Sequence, residues 1–319
     1  MAPRDPWDDT RPLAGETPPA RRSAATLDRF QGCLVGLAVG GSLGAVLQGL
    51  SPPDAAQRWR ILTEREGLLP PAVTTGLVLC VAGGVLAQGS FDREAAARRL
   101  LEWRRAARPA LSLTATLALD ALESGATLDE AALAAARQRG DEAADAGALT
   151  AAIPLALLNV YDPSALQWDA MLCALITHWD ERATWAAIAL NLLLAELLNE
   201  QREDYLRRAA ERLEEAAVRS ALLQAPSLSP GQVRAGSFAP RALQAAVWAF
   251  HDAASFEDAL RRALELGGEA TTVGAVTGAL AGAYWGLEGI PARWAEALAE
   301  RDELLRASGG LHLLAHRPG

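Results

Sequence analysis

Two glycine-rich stretches decide the fold: GCLVGLAVGGSLG at residues 32–44 and VGAVTGALAGAYWG at residues 273–286. In each stretch a glycine recurs at every fourth position, which places the glycines along one ridge of an α-helix. Glycine inside a helix costs about 1 kcal/mol relative to alanine. Close packing against another helix backbone has to offset that cost. We therefore expect two core helices whose ridges are candidates to pack on each other in the middle of a helical bundle.

A membrane-spanning interpretation of the same stretches is the main alternative, because small residues four apart are also typical of transmembrane helix pairs. Ser, Thr and Gln interrupt the apolar runs, and no positively charged flanks frame them. The pattern therefore favours buried helices of a soluble protein, with no membrane as partner.

The composition around these stretches indicates an all-α protein. Half of the 319 residues are apolar, with Ala and Leu dominant and aromatic residues at only 5%. Ala and Leu are strong helix formers, whereas the residues that suit strands are scarce. No linker divides the chain, so we expect a single compact multi-helical domain over residues 27–308. Residues 1–26 are predicted to form a disordered N-terminal tail, and residues 309–319 a shorter C-terminal tail.

Charge and cysteine usage restrict the functional classes. The net charge is −9, and all 30 basic residues are arginine, which excludes lysine-based catalysis. The acidic balance argues against nucleic acid and anionic membranes as partners. Three scattered cysteines without a signal peptide predict reduced, buried thiols and a cytoplasmic location.

Three segments resemble the ADP-ribosylglycohydrolase family. These are LDRFQGCLVGLAVGGSLGAVLQGL (residues 27–50), THWDERATWAAIAL (residues 177–190) and the long segment from 239 to 294 that ends in IPARW. The resemblance covers most of the chain in the right order. It implies an all-helical fold with two adjacent Mg²⁺ or Mn²⁺ ions in a central cleft. It also implies hydrolysis of the glycosidic bond that joins ADP-ribose to a protein side chain.

The family's metal-binding loops are eroded in this sequence. The family reads TDDT where residues 72–75 read AVTT, and GGDADT where residues 267–272 read GGEATT. Only Glu269 keeps a carboxylate. The resemblance gives five vestigial metal positions, at which we expect no ion to bind: Glu269, Thr271, Thr272, Thr74 and Thr75.

Further family residues are also replaced. Gly41 and Gln48 stand where the family has acidic residues near the end of its first helix. Ala146 and Ala151 replace an Asn and an Arg in the stretch DAGALTAAIP. Both the metal pattern and the nucleotide-facing pattern are thus weakened.

The loss of charge predicts a pseudoenzyme. A threonine hydroxyl can donate a lone pair but brings no charge, and Mg²⁺ gives up its waters reluctantly. We therefore expect no bound cofactor and no catalytic residue. The hypothesis is a binding or regulatory module for an unknown protein partner or a nucleotide-type ligand such as ADP-ribose. Two alternatives stay open: a divergent hydrolase with an altered or single-metal site, and a structural or partner-binding scaffold.

The remaining expectations concern Glu269, the two threonines that follow it, and His178. Glu269 is either a last metal ligand or general base, or an acidic residue favoured near a helix N-terminus by the helix dipole. Thr271 or Thr272 is expected to be the N-cap of the second glycine-rich helix. His178 is expected to form local hydrogen bonds.

Overall fold

Helices form the regular secondary structure in the computed structural model, which describes residues 25–63, 69–200 and 203–317. Within those ranges there are no β-strands, only isolated bridges between Leu69 and Leu298 and between Asp145 and Phe238. The all-α prediction is confirmed. The described helices are α1 Leu27–Leu47, α2 Pro52–Thr63, α3 Val73–Gln88, α4 Arg93–Ala107, α5 Leu113–Glu123, α6 Leu128–Arg139, α7 Ile153–Leu158, α8 Pro163–Ala174, α9 Glu181–Leu198, α10 Tyr205–Glu211, α11 Ala216–Gln224, α12 Ala239–His251, α13 Phe256–Leu264, α14 Ala270–Trp285, α15 Ala292–Ala295 and α16 Arg301–Ala315, with short 3₁₀ turns at Gly140–Ala143, Ala146–Ala148 and Ala225–Ser227.

The two glycine ridges pack against each other at the centre of the protein, as the sequence suggested. α1 and α14 run antiparallel, so that Gly32 lies against Gly282 and Gly40 lies against Gly274. A Cβ atom added to any of these glycines would collide with the facing carbonyl oxygen. The helix backbones are therefore in direct contact, which offsets the low helix propensity of glycine.

The other helices surround this central pair. α9, α12 and α13 pack against α14, while α3 and α16 pack against α1. α9 is buried on nearly all sides. α5 and α6 pack together as a hairpin, and a capping box of Thr127 and Glu130 begins α6.

α1 is the helix to which the alternative, membrane-spanning interpretation applies. Within the described ranges it is the one helix long and apolar enough to cross a membrane by length and composition. In its most apolar 18-residue window, 83% of the residues are buried inside the protein. α1 is therefore a core helix of the fold.

The predicted tails need correction at both ends. The predicted N-terminal tail lies outside the described residues up to 24, but Ala25 is buried and Thr26 caps α1. The predicted C-terminal tail is wrong, because α16 continues to Ala315 with Leu311 fully buried. Gly310 does not break this helix. A Cβ at Gly310 would lie 2.5 Å from a methyl carbon of Leu86, so the Leu86 side chain would have to shift to accommodate it.

Candidate functional site

A cleft of about 1200 Å³ opens where α1 ends and where α3 and α14 begin. The antiparallel pairing of the glycine ridges brings the C-terminal end of α1 next to the N-terminal end of α14. The segment that precedes α5, the turns around residues 139–151 and Phe238 complete the wall. The cleft therefore collects residues from distant parts of the chain.

The loop before α14 makes a sharp turn into the cleft. Gly267 and Gly268 both adopt positive φ angles, +63° and +58°, a conformation that side-chain-bearing residues avoid. Hydrogen bonds tie the loop to the end of α1: Gly268 N–H donates to Leu50 O at 3.0 Å, and Gly49 N–H donates to Gly268 O at 2.8 Å. This loop fixes the direction in which Glu269 enters the cleft.

Glu269 is the N-cap residue of α14, which agrees with its expected place near a helix N-terminus. The prediction that Thr271 or Thr272 is the N-cap is wrong, because both lie inside the first turn. The side chain of Glu269 does not cap its own helix. Gln48 caps the first turn of α14 instead: its Oε1 accepts a hydrogen bond from Thr271 N–H at 2.8 Å.

Gln48 also binds the carboxylate directly. Its Nε2 donates to Glu269 Oε2 at 3.2 Å, while Thr272 Oγ1 donates to Glu269 Oε1 at 3.0 Å. Both oxygens of Glu269 are thus occupied by uncharged donors of the protein. A single amide side chain bridges the end of α1 and the start of α14, at the place where the resemblance implies metal ligands.

The opposite wall, at the start of α3, is closed in a similar way. Thr74 is 2% exposed, and its Oγ1 would collide with a Cβ atom at Gly41. Thr74 therefore fills the space that an aspartate at position 41 would need. Thr75 is buried and does not line the cleft, in contrast to the other four vestigial metal positions.

The donor set at the vestigial metal positions does not fit a pair of divalent ions. Mg²⁺ and Mn²⁺ need several anionic oxygens, and two adjacent ions need more than one. Among the vestigial positions only Glu269 is ionisable, and its two oxygens already accept hydrogen bonds. In the described ranges no three His, Cys, Asp or Glu side chains are grouped so that they could hold a metal ion.

Asp145 and His178 form a buried pair in the cleft wall. His178 Nε2 lies 3.0 Å from Asp145 Oδ1, and its Nδ1 lies 2.8 Å from Thr177 Oγ1. Burial alone raises the pKa of Asp145, but the hydrogen bond and charge interaction with His178 outweigh it and hold that pKa well below its usual range. Both ring nitrogens of His178 are engaged, which agrees with its expected role in local hydrogen bonding.

Aromatic and arginine side chains form the rest of the wall. The indole of Trp103 lies against Gly76 in the first turns of α3, where a Cβ would overlap the ring. Arg182 lies 5.4 Å above the ring of Phe238 and binds Asp180 through two nitrogens. Arg139 pairs with Glu142 at 2.8 Å.

Sequence reasoning missed most of these wall residues. Asp145 opens the stretch DAGALTAAIP, and the resemblance of that stretch to the family was the one available signal. Trp103 and Arg139 lie in ordinary amphipathic helices, which give no local indication that they face a cleft.

Comparisons with known proteins agree with this architecture. The family model for ADP-ribosylglycohydrolase matches residues 22–318. An ADP-ribosylarginine hydrolase (Tri1) of Pseudomonas putida (strain GB-1) is 27% identical over 285 residues, covering 86% of this chain and 75% of the relative. An ADP-ribosyl-[dinitrogen reductase] glycohydrolase of Rhodospirillum rubrum is 24% identical over 84% of this chain and 89% of its own length. A solved structure described as an ADP-ribosylglycohydrolase-related protein complex is 32% identical, with a TM-score of 0.74 over 91% of this chain and 98% of that one. The chain therefore belongs to the ADP-ribosylglycohydrolase family.

Proposed function

We propose that this protein is a non-catalytic member of the family that serves as a binding or regulatory module. The observation that carries the proposal is the bridge formed by Gln48. It joins Glu269 to the N–H of Thr271 and so links α1 to α14 without an ion. A metal at this place would have to displace hydrogen bonds that the protein already makes.

Electrostatics supports the same conclusion. Two divalent ions placed side by side repel each other strongly unless carboxylates surround them. Among the vestigial metal positions one carboxylate, Glu269, would face both ions. Without them, no bound water is made acidic and no Lewis acid polarises the glycosidic bond.

The metal test uses thermal melting of the full chain with and without millimolar Mg²⁺ or Mn²⁺. A ligand that binds only the folded state at 100 times its Kd adds about 2.7 kcal/mol to the stability. We expect no shift for the native sequence. A clear rise in melting temperature overturns the proposal.

A restored variant serves as the positive control. It carries Gly41→Asp, Val73→Asp, Thr74→Asp, Glu269→Asp and Thr271→Asp, which returns the carboxylates that the family's pattern has at these positions. We expect this variant to gain a metal-dependent rise in melting temperature.

The hydrolase alternative is decided by a direct assay. Release of ADP-ribose from ADP-ribosylated arginine and serine peptides is measured for the native protein and for Glu269→Gln. We expect no release from either. Release that Glu269→Gln abolishes establishes the divergent hydrolase instead.

Ligand, partner and location belong to the same proposal. Melting with ADP-ribose alone separates a nucleotide-type ligand from a protein partner or a pure scaffold, because only the first raises the melting temperature.

Cys33, Cys80 and Cys173 are free and buried, and burial raises the pKa of Cys80 and Cys173 to about 12. Such unreactive thiols support a cytoplasmic location.

A further inference from the structure

The hairpin of α5 and α6 forms one side of the cleft. Ala115 and Leu119 of α5 line the cleft, and Leu113 lines it too while remaining 52% exposed, which places it at the mouth. The two helices pack mainly on each other and on the short turns at the base of the hairpin. The hairpin can therefore move away from the cleft and keep its own internal packing.

The hairpin has a small apolar core of its own. Leu119 and the buried alanines of both helices lie outside the large hydrophobic cluster that fills the centre of the protein. The contacts of the hairpin with that cluster come from Leu122 and Leu128, on either side of its tip. Because burial of apolar surface is the main force that fixes one element on another, the hairpin is only lightly fixed to the rest of the fold.

Ion pairs with α4 hold the outer half of the hairpin in place. They join Arg93 to Asp129, Arg104 to Asp120 and Glu123, and Arg105 to Glu123. The side chains of these carboxylates are between 31% and 63% exposed. Ion pairs that water reaches contribute little stability each and are weakened by salt. Such contacts suit an element that opens and closes.

Both connections at the base of the hairpin have unusual backbone conformations. Arg108, before α5, has a φ angle of +47°, which residues with side chains seldom adopt, and Pro109 follows it. Gly140, after α6, has a φ angle of +56° and nothing within 4 Å of the position of an added Cβ. Between them, Ser112 anchors the base through a hydrogen bond with Asp145. Hinges are typically a few residues at the ends of elements that absorb a change of backbone angles.

We propose that the α5–α6 hairpin is a hinged lid that swings as one body about Arg108 and Gly140 and controls access to the cleft. The ion pairs with α4 hold the lid closed. Opening exchanges those pairs for contacts with water, while α5 and α6 stay packed on each other. The lid acts on any molecule that enters the cleft, so the inference does not depend on whether the protein is catalytic.

Chemical modification of Cys173 in the full chain measures the opening. Cys173 lines the cleft together with α5 but is only 2% exposed, so a reagent reaches it when the cleft opens. Cys33 is fully buried outside the cleft lining and reports unfolding of the core instead. Iodoacetamide is an uncharged reagent, and mass spectrometry of the peptides follows the two thiols in one sample.

Arg104→Gln removes two of the ion pairs with little change in size. We expect it to raise the rate of Cys173 modification by about 3-fold or more and to leave the rate of Cys33 unchanged. Arg207→Gln is the matched control, because Arg207 also pairs with two carboxylates, but at α10 and outside the cleft lining. The control is expected to leave both rates unchanged.

Salt gives the same test without a substitution in the lid. Raising the NaCl concentration from about 0.05 to about 1 M screens exposed ion pairs. We expect it to accelerate modification of Cys173 in the native protein and to do so less in Arg104→Gln, where two of the pairs are already broken.

Hydrogen exchange distinguishes a swinging lid from a hairpin that melts. Amides inside α5 and α6 should stay equally protected in the native protein and in Arg104→Gln, because their mutual packing is kept. An unchanged rate at Cys173, a parallel acceleration at Cys33, or loss of protection throughout both helices overturns the proposal. If Arg104→Gln does not fold, Glu123→Gln removes the shared partner of Arg104 and Arg105 from the hairpin side and gives the same comparison.

Discussion

The contact between the glycine ridges of α1 and α14 predicts an unusual response to alanine. Alanine normally stabilises a helix relative to glycine by about 1 kcal/mol. At Gly36 the added methyl group would collide with the carbonyl oxygen of Gly278 and would lie 3.0 Å from a ring carbon of Phe256. The two backbones would have to separate along the whole ridge.

The magnitude follows from these opposing terms. Overpacking a core typically costs about 1–3 kcal/mol, and a collision with rigid backbone belongs at the upper end. Subtracting the gain in helix propensity leaves a net loss of about 2 kcal/mol for Gly36→Ala. For a chain of this size that loss lowers the melting temperature by about 4 °C.

Gly309→Ala is the matched control. Gly309 lies inside α16 and has nothing within 4 Å of the position of an added Cβ. The control is expected to gain up to about 1 kcal/mol and to melt about 2 °C higher. Thermal unfolding followed by circular dichroism measures both variants. If Gly36→Ala melts at or above the temperature of the native protein, the ridges are not in backbone contact and the reasoning is refuted.

Four further predictions concern the cleft and the chain ends. Gln48→Leu removes two hydrogen bonds between α1 and α14 and should lower the unfolding free energy by about 1 kcal/mol in urea titrations. Gly41→Asp should destabilise the protein strongly because Thr74 occupies its space, and adding Thr74→Ala should recover part of the loss in melting temperature. The lowered pKa of Asp145 contributes stability that is present above pH of about 4 and is lost as the pH falls, so Asp145→Asn should be less stable at pH 7 and differ less at pH 3. Burial, and next its histidine neighbour, lower the pKa of His312, so stability should fall as the pH drops below about 6.5, and His312→Gln should weaken that dependence.

Local sequence patterns predicted the parts of the fold that depend on local geometry. Glycines four residues apart define a helix ridge whatever surrounds it, so the central pair could be anticipated from two stretches far apart in the chain. The capping residues Thr127 and Asp180 were also readable, because a cap depends on the residues that follow within one turn.

Features that depend on distant contacts could not be predicted in the same way. Residues 309–319 were predicted to be a tail, and only the burial of Leu311 against the core shows why α16 continues to Ala315. The N-cap of α14 was misplaced by two or three residues because its first turn is capped by Gln48, 223 positions earlier in the sequence. Asp145 lines the cleft, and only the resemblance of the stretch that it opens pointed to this turn. The metal-site residues stay a prediction from the resemblance.

The pairing of α1 with α14 has a consequence for synthesis. α1 leaves the ribosome more than two hundred residues before its partner α14. At a synthesis rate of roughly 5–20 residues per second, the glycine face of α1 stays without its partner for on the order of ten seconds or more before α14 emerges. Throughout that interval this long apolar helix is exposed to chaperones and to other nascent chains. Truncated chains that stop before residue 270 should therefore aggregate rather than fold.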